Sequence, residues 1–203
     1  MPTPIRCRCG QVRGEADLRN AYTRATCYCR DCRAYAHWLG TPGLMDAQGG
    51  SDTVAMAPAG VRFTSGLDRL ACMSLSGKGI LRWYAACCRT PLGNTGRSAK
   101  LPYVGMLTAC FADAPEEVDA AVGPRDRITL NAGSAEGPVR KTPLGFVTGG
   151  LRILANLVVR RLRGEGAAPY FDASTGQPIR APEVLTAAQR QALGANQPSH
   201  PSR

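Results

Sequence analysis

Seven of the nine cysteines in this chain fall into three short clusters whose spacing is typical of metal ligands. They are Cys7 and Cys9 in a C-x-C, Cys27, Cys29 and Cys32 in a C-x-C-x-x-C, and the adjacent pair Cys87 and Cys88. Thiolates two or three residues apart can bind one ion at about 2.3 Å each, as in a tetrahedral zinc site. The clusters therefore predict that the chain binds zinc.

The rest of the sequence favours a reducing environment for these thiols. Its 203 residues, 44% hydrophobic, are enough for one substantial core. No apolar stretch approaches the ~18 residues of a membrane span, and residues 1–6 contain no apolar signal region. We therefore expect a cytoplasmic protein, in which metal binding is favoured over disulfide formation.

The net charge of +10 raises the question of a nucleic-acid partner. Five arginines lie within or beside the cysteine clusters, where they can offset thiolate charge: Arg6, Arg8, Arg30, Arg33 and Arg89. Aromatic residues make up only 6% of the chain and do not alternate with basic ones, as a surface that stacks single strands requires. We expect no nucleic-acid partner.

Short apolar runs separated by Gly- and Pro-rich turns predict a mainly β domain. Strands are expected at 52–56, 61–64, 70–75, 80–84, 103–111 and 127–131, and a helix is expected to begin near residue 114. Residues 1–50 are interpreted as short strands and turns around the first two clusters. The division that follows is a zinc domain over 1–143 and a helical extension with a loose tail over 144–203.

The extension begins with an amphipathic helix, predicted over 145–163. Its apolar stripe consists of Val147, Leu151, Leu154, Val158 and Leu162. The simplest role is a helix whose stripe docks on the β domain or on a second copy of it. The alternative is a basic helix lying on a membrane surface. Beyond it we predict a polar loop at 169–180, a short helix at 182–193 and a loose tail at 195–203.

The order and spacing of the cysteines, with Thr90-Pro91-Leu92 after the last pair, resemble the glutathione-dependent formaldehyde-activating enzyme family, also called the CENP-V/GFA domain. The resemblance covers residues 5–131. It implies an Mss4-like zinc-binding β fold with one structural zinc and a second, reactive zinc. Cys7 and Cys9 would be half of the structural site, and Cys27, Cys29 and Cys32 would form the reactive one.

The late motif departs from the family pattern, which is C-x-x-C followed by Gly-Thr. Aligning Thr90 with the family threonine places Cys88 on the second cysteine, Ala85 on the first and Arg89 on the glycine. We expect Cys87 to replace the missing cysteine. The alternatives are a site with three ligands and a water molecule, or a Cys87 that is simply buried.

A redox interpretation of Cys29 and Cys32 competes with the metal interpretation of the triplet. A thioredoxin-like C-x-x-C needs a strand followed by a helix N-terminus in a βαβ unit, which the sequence does not indicate here, and Cys27 adds a third thiol. Metal binding is favoured. His37 is interpreted as a packed or surface residue rather than a ligand, and Cys72 and Cys110 as core residues.

Three protein ligands leave a coordination position open, which is typical of catalytic zinc. By resemblance, the function would be that of a carbon–sulfur lyase acting on small thiol adducts of the glutathione/formaldehyde type. Arg30 and Arg33 could attract an anionic thiol such as glutathione. The alternative is a zinc module without catalysis that binds a macromolecular partner, and the drifted late motif and the extension favour such divergence.

Overall fold

A computed structural model describes residues 2–195, and in that part of the chain it contains eleven strands and four α-helices. The strands are β1 (Thr3–Arg6), β2 (Arg13–Ala16), β3 (Ala21–Cys27), β4 (Ser51–Met56), β5 (Val61–Ser65), β6 (Leu70–Ser74), β7 (Leu81–Ala85), β8 (Pro91–Thr95), β9 (Val104–Leu107), β10 (Thr129–Leu130) and β11 (Glu183–Val184). The helices are α1 (Arg30–Leu39), α2 (Pro115–Val122), α3 (Pro143–Leu162) and α4 (Ala187–Ala192). The predicted β-rich class is confirmed.

The strands form two sheets with the main core between them. The small sheet has the order β1-β2-β5, and the large sheet has the order β10-β3-β4-β9-β8-β7-β6-β11. All pairs are antiparallel except those of β10 with β3 and β11 with β6. Ile5 and Val61 of the small sheet meet Trp83 and Met106 of the large sheet in this core. Alternation along each strand therefore places one face of each sheet inside.

One predicted strand and one predicted helix differ from the structure. The run 103–111 is a strand only as far as Leu107, because Thr108–Phe111 forms a 3-10 turn that buries Phe111. The predicted helix over 182–193 begins instead with β11. Its helical part starts after Thr186, whose hydroxyl accepts a hydrogen bond from the N–H of Gln189 in a capping box.

The interpretation of residues 1–50 as strands and turns is wrong at α1. Cys29 caps the N-terminus of this helix, and Gly40 ends it in a left-handed conformation with φ of 67°. Tyr35 and Leu39 pack against the outer face of the large sheet, where they meet Met73 and Tyr84. The four-residue spacing of Tyr35 and Leu39 was the available signal for a helix. This apolar face is short, however, and the polar residues Arg33 and His37 lie beside it along the chain.

α3 is present as predicted, but its apolar stripe does not dock on the β domain, and docking on a second copy stays a prediction. The face that docks instead includes Gly149, where a Cβ would lie 2.5 Å from Ile128 Cδ1. Ile153 and Leu157 of the same face pack against the cluster that contains Tyr22. The predicted stripe faces away from the domain. Among residues 2–195, no helix has the length and hydrophobicity needed to cross a membrane.

After α3 the chain returns to the main core. Tyr170 is fully buried, lies 5.3 Å from the Trp83 ring between centroids, and donates its hydroxyl hydrogen to the Met106 sulfur. Phe171 is buried beside it, so the predicted polar loop at 169–180 is polar only beyond this aromatic pair. Of the predicted loose tail, residues 196–203 lie outside the described residues.

Candidate metal centres

The first thiol cluster consists of Cys7, Cys9, Cys87 and Cys88, whose sulfur atoms all lie within 4.8 Å of one another. The Sγ atom of Cys87 is 3.3 Å from that of Cys9 and 3.8 Å from that of Cys7. Four sulfurs at about 2.3 Å from a tetrahedral zinc would lie about 3.8 Å apart. The four thiols therefore match the donor type and the spacing of a closed zinc site.

Two loops from different sheets bring these thiols together. Cys7 and Cys9 follow β1 of the small sheet, whereas Cys87 and Cys88 lie in the turn between β7 and β8 of the large sheet. The Thr90 hydroxyl links the loops, because it accepts a hydrogen bond from the Arg8 N–H at 2.9 Å and lies 3.1 Å from the Cys88 sulfur. A metal bound here would join the two sheets.

The turn between β7 and β8 places Cys87, rather than the residue at position 85, among the thiols. Ala85 is the last residue of β7 and is fully buried, so its side chain lies in the core rather than among the thiols. Cys87, two residues later, is the one that reaches Cys7 and Cys9. Arg89, which the resemblance aligns with a glycine, has a left-handed backbone with φ of 56°. Such a conformation favours glycine.

The thiols of the first cluster differ in acidity. Burial and hydrogen bonds with Cys9 and Cys7 raise the pKa of the Cys87 thiol to about 12. Burial also acts to raise the pKa of Cys88, but hydrogen bonds with Thr90 and with the Cys9 backbone outweigh it and lower this pKa to about 6. Because metal ligands are thiolates, ion binding at this cluster would release protons.

The second thiol cluster consists of Cys27, Cys29 and Cys32, whose sulfurs lie within 4.8 Å of one another. Cys27 is the last residue of β3, Cys29 caps α1, and Cys32 lies in the first turn of that helix. The Cys29 and Cys32 sulfurs are 3.2 Å apart, and the Cys29 sulfur accepts a hydrogen bond from the Cys32 N–H. Within residues 2–195, no fourth Cys, His, Asp or Glu joins this group.

The surroundings of this cluster favour an anion. Hydrogen bonds from Cys29 and Cys32 hold the pKa of Cys27 well below its ordinary value, and the bonds to Cys27 raise the pKa values of the other two. The N-terminus of α1 adds the positive end of the helix dipole. The Asn131 amide, 3.5 Å from the Cys27 sulfur, is a hydrogen-bond donor. One negative charge is thus stabilised even before a metal binds.

The structure has one feature of a thioredoxin-like C-x-x-C site and lacks another. β3 does run into the N-terminus of α1, so the strand–C-x-x-C–helix arrangement that the sequence did not indicate is present. However, β4, the next strand, pairs antiparallel with β3, and the βαβ unit is therefore not formed. Cys27 remains the third sulfur of the group, which a dithiol mechanism does not require.

The arginines near the clusters mostly bind oxygen atoms. Arg33 donates to the Tyr28 and Ser134 carbonyls at 3.0 and 2.6 Å and pairs with Glu136, so it fastens α1 to a loop rather than facing a ligand. Arg89 donates to the Trp38 carbonyl at 2.8 Å and stacks on that ring. These two guanidinium groups are therefore bonded to oxygen atoms, and their expected offset of thiolate charge stays a prediction.

Three other predicted residues are placed clearly. His37 is exposed and is not part of the second cluster. Cys72 and Cys110 are buried in the main core, which confirms their interpretation as core residues.

Two residues near the second cluster were missed from the sequence. Asn131 directly follows β10 and lies about one hundred positions from Cys27 along the chain. Only the parallel pairing of β10 with β3 brings its side chain close to the Cys27 sulfur. Arg82 is buried in β7 against the Tyr35 ring of α1, and its Nη1 has no hydrogen-bond partner in the described chain. Neither residue lies in a recognisable motif.

Two cavities adjoin the clusters. One of about 30 Å³ lies beside Cys32, and a larger one of about 200 Å³ lies beside Cys7, with Arg6 and Arg8 in its lining. Both cavities are lined by Thr41, Leu44 and Ala109, so they share a wall between the two thiol clusters. Space for a small molecule is therefore available next to the thiols.

Comparison with known proteins places the chain in a family without assigning an activity. The model of a family of unknown function (DUF6151) matches residues 2–147, most of the chain, which therefore belongs to this family. No curated protein matches the chain. A crystal structure of a Rhodobacter sphaeroides protein is similar, with 17% identity, a TM-score of 0.42, and coverage of 61% of this chain and 99% of that one.

Proposed function

We propose that this member of the DUF6151 family is a zinc protein with a structural site at the first thiol cluster and a reactive site at the second. The observation that carries the proposal is the difference in donor number: four sulfurs converge in one cluster and three in the other. A closed set of four is typical of structural zinc, and a set of three with an open position is typical of catalytic zinc.

The reaction we propose is that of a carbon–sulfur lyase acting on small thiol adducts of the glutathione/formaldehyde type. Zinc at an open position would lower the pKa of a bound thiol and orient it. The chain itself contributes an anion-favouring helix N-terminus at Cys29 and an amide donor at Asn131. The cavity beside Cys32 offers space for the sulfur end of the ligand.

The remainder of such a thiol would lie toward the larger cavity. Its lining includes Arg8, which pairs with no carboxylate among the described residues, and Arg6, which pairs with Asp113. A thiol with a carboxylate, such as glutathione, matches this charge. By resemblance, the β domain would have the Mss4-like arrangement. The position of the first cluster, between loops of the two sheets, supports this proposal.

Cobalt substitution tests the proposal directly, because the visible spectrum of the ion changes when it gains a sulfur ligand. We expect glutathione to change the spectrum of the cobalt-loaded protein, and Cys29→Ser to abolish that change. His37→Ala, an exposed substitution on the same helix, is the matched control and should preserve it. A cobalt spectrum already typical of four sulfurs at both sites, unmoved by thiols, would contradict a reactive second site.

Turnover is tested separately by mixing the zinc-loaded protein with glutathione and formaldehyde and measuring S-(hydroxymethyl)glutathione. Acceleration that is lost in Cys29→Ser supports a lyase. Thiol binding without acceleration would favour a related substrate, since Ala85 and Arg89 mark a late motif that has diverged.

A second candidate is a zinc module that binds a macromolecule and has no catalytic site. The specific observation in its favour is the set of large apolar side chains that α3 exposes. It predicts that both sites are closed by protein ligands and that thiols leave the cobalt spectrum unchanged.

A further inference from the structure

The outer face of α3 is a large apolar surface on an otherwise well-packed domain. Eight side chains of this helix are large, apolar and about half exposed or more: Leu144, Phe146, Val147, Leu151, Leu154, Val158, Val159 and Leu162. Leu144 and Leu162, near the two ends, are 82% and 83% exposed. No other segment of residues 2–195 covers this face. A patch of this kind marks an interaction surface.

The orientation of the helix makes the exposure systematic. Gly149, Ile153 and Leu157 define the face that docks on the domain. At about 100° per residue, Leu151 and Val158 lie on the opposite side of the helix. The apolar stripe therefore points directly away from the protein, and it continues over five turns.

The charged residues of α3 itself and of the chain directly beside it are all basic. Between Glu136 and Glu165 the chain has six basic residues and no acidic one: Arg140, Lys141, Arg152, Arg160, Arg161 and Arg163. Arg160 belongs to the docked face, where it pairs with Glu165 and Asn20. The other five are exposed. Arg161 lies about 70° from the centre of the stripe on one side, and Arg152 about 110° on the other.

We propose that α3 binds the surface of a membrane that contains anionic phospholipid, with its apolar stripe at the boundary of the acyl chains and its arginines at the headgroups. α3 is not hydrophobic enough to cross a membrane. An apolar stripe with basic residues beside it, on a helix of this kind, is typical of helices that lie in the plane of a membrane surface. Long arginine side chains beside a stripe can reach the phosphates while the apolar residues insert.

Charge complementarity favours this occupant over a second copy of the chain. A second α3 helix packed stripe to stripe would offer no acidic side chain to pair with the exposed arginines of the first. An anionic lipid surface supplies the missing opposite charge, worth about fivefold in affinity for each basic residue near it.

Vesicle sedimentation with the full chain tests the proposal. We expect binding to vesicles of equal parts phosphatidylcholine and phosphatidylglycerol, and at least about tenfold weaker binding to phosphatidylcholine alone. Binding should also fall as salt shortens the Debye length from about 10 Å at 0.1 M to about 3 Å at 1 M.

Paired variants separate the stripe from the rest of the surface. Leu151→Gln with Leu154→Gln should weaken binding to the anionic vesicles at least about tenfold, because two inserted side chains are lost. Leu67→Gln with Ile80→Gln, which changes two apolar residues that are 48% and 45% exposed elsewhere, should not. Arg161→Gln should weaken binding about fivefold, and Lys78→Gln should leave it unchanged. Unchanged thermal unfolding confirms that the fold is intact.

Three results would overturn the proposal: no vesicle binding, equal binding to neutral and anionic vesicles, or equal losses in the stripe variant and its control. Sedimentation velocity identifies the rival. A concentration-dependent dimer that the Leu151/Leu154 variant abolishes, in a protein that ignores vesicles, assigns the stripe to a second copy. These outcomes are independent of the cobalt and turnover experiments on the thiol clusters.

Discussion

At the scale of single residues, the backbone at the end of a strand decides which thiol reaches an ion. Ala85 still belongs to β7 and points into the core, whereas Cys87 lies in the turn and approaches Cys9 within 3.3 Å. Arg89 has a left-handed backbone conformation at the point where the chain turns into β8. Of these two positions, it is therefore Cys87 that contributes its side chain to the first thiol cluster.

Cys87→Ser should therefore remove the metal of the first cluster and lower the unfolding temperature. Adding Ala85→Cys should not restore either property, because the side chain at 85 lies in the core. Zinc content and thermal unfolding measure both effects. Cys72→Ala is the control, since it perturbs a buried cysteine outside the clusters and should leave the zinc content unchanged. Restoration of the zinc content by Ala85→Cys would show that the turn rearranges.

Local ligand spacing was sufficient to predict the members of each short cysteine cluster, because metal chemistry demands particular residue types at particular spacings. That Cys7 and Cys9 group with Cys87 and Cys88 was implied only by the resemblance. The sequence was not sufficient for Asn131 or Arg82. Asn131 reaches the Cys27 sulfur only through the pairing of β10 with β3, and Arg82 approaches the cluster only because α1 packs over β7. Such contacts depend on tertiary structure and leave no periodic signal.

At the scale of elements, β3 is the strand that must be held in place, because its last residue is Cys27. Arg24 of β3 is buried and pairs with Asp52 of β4, with N–O distances of 2.6 to 3.1 Å. The same guanidinium contacts Asp119 and the Gly123 carbonyl of the α2 region. One side chain thus fixes the strand to its neighbour and to a helix.

Asp52→Ala should cost about 3 kcal/mol of folding free energy, because it leaves the Arg24 charge buried without its main partner. The Asp52 side chain is only 6% exposed, whereas that of Asp119 is 55% exposed. Asp119→Ala is therefore the matched comparison and should cost less than about 1 kcal/mol. Urea unfolding measures both. Equal costs would mean that Arg24 depends on both partners alike.

Sequence reasoning missed α1 and misjudged which face of α3 docks on the domain, each for a physical reason. α1 has a short buried face, and the cysteines at its start drew the interpretation toward loops. For α3, hydrophobicity was taken to indicate the docked side. The close approach permitted by Gly149 outweighs it, and the large side chains are left outside.

At the scale of the whole molecule, the first cluster and the C-terminal segment both lie where the two sheets meet. The thiols come from β1 of one sheet and from the turn after β7 of the other. Tyr170 lies between Phe63 of the small sheet and Trp83 of the large one, with ring centroids 5.8 and 5.3 Å away. The segment that carries Tyr170 and Phe171 is thus packed into the core between the sheets.

Cys7→Ser and Cys9→Ser should consequently destabilise the protein more than Cys29→Ser and Cys32→Ser. Removing a ligand from the first cluster removes metal-binding energy that is coupled to the docking of the sheets. The second cluster lies within one strand-to-helix connection, so its loss should affect thiol binding first. Melting temperatures in the reverse order would refute this division of labour.

Tyr170→Ala should destabilise the protein by about 3 to 5 kcal/mol, the range for loss of a buried aromatic side chain. Tyr170→Phe keeps the ring and loses only the hydroxyl contact with the Met106 sulfur, so it should cost about 1 kcal/mol. Chemical denaturation followed by tryptophan fluorescence, to which the neighbouring Trp83 contributes, reports both. A small effect of the alanine variant would mean that the segment after α3 is not required by the core.

The large sheet ends on each side in a strand of only two residues, β10 next to β3 and β11 next to β6. Before β11 begins, Arg180 donates to the carbonyl of Leu70, the first residue of β6, and to that of Leu67 just before it, so this part of the edge is also bonded. Long unpaired edges are templates on which other chains add strands and aggregate. By ending its sheet in short, partly blocked strands, the folded protein protects itself against edge-to-edge polymerisation while carrying an exposed apolar helix.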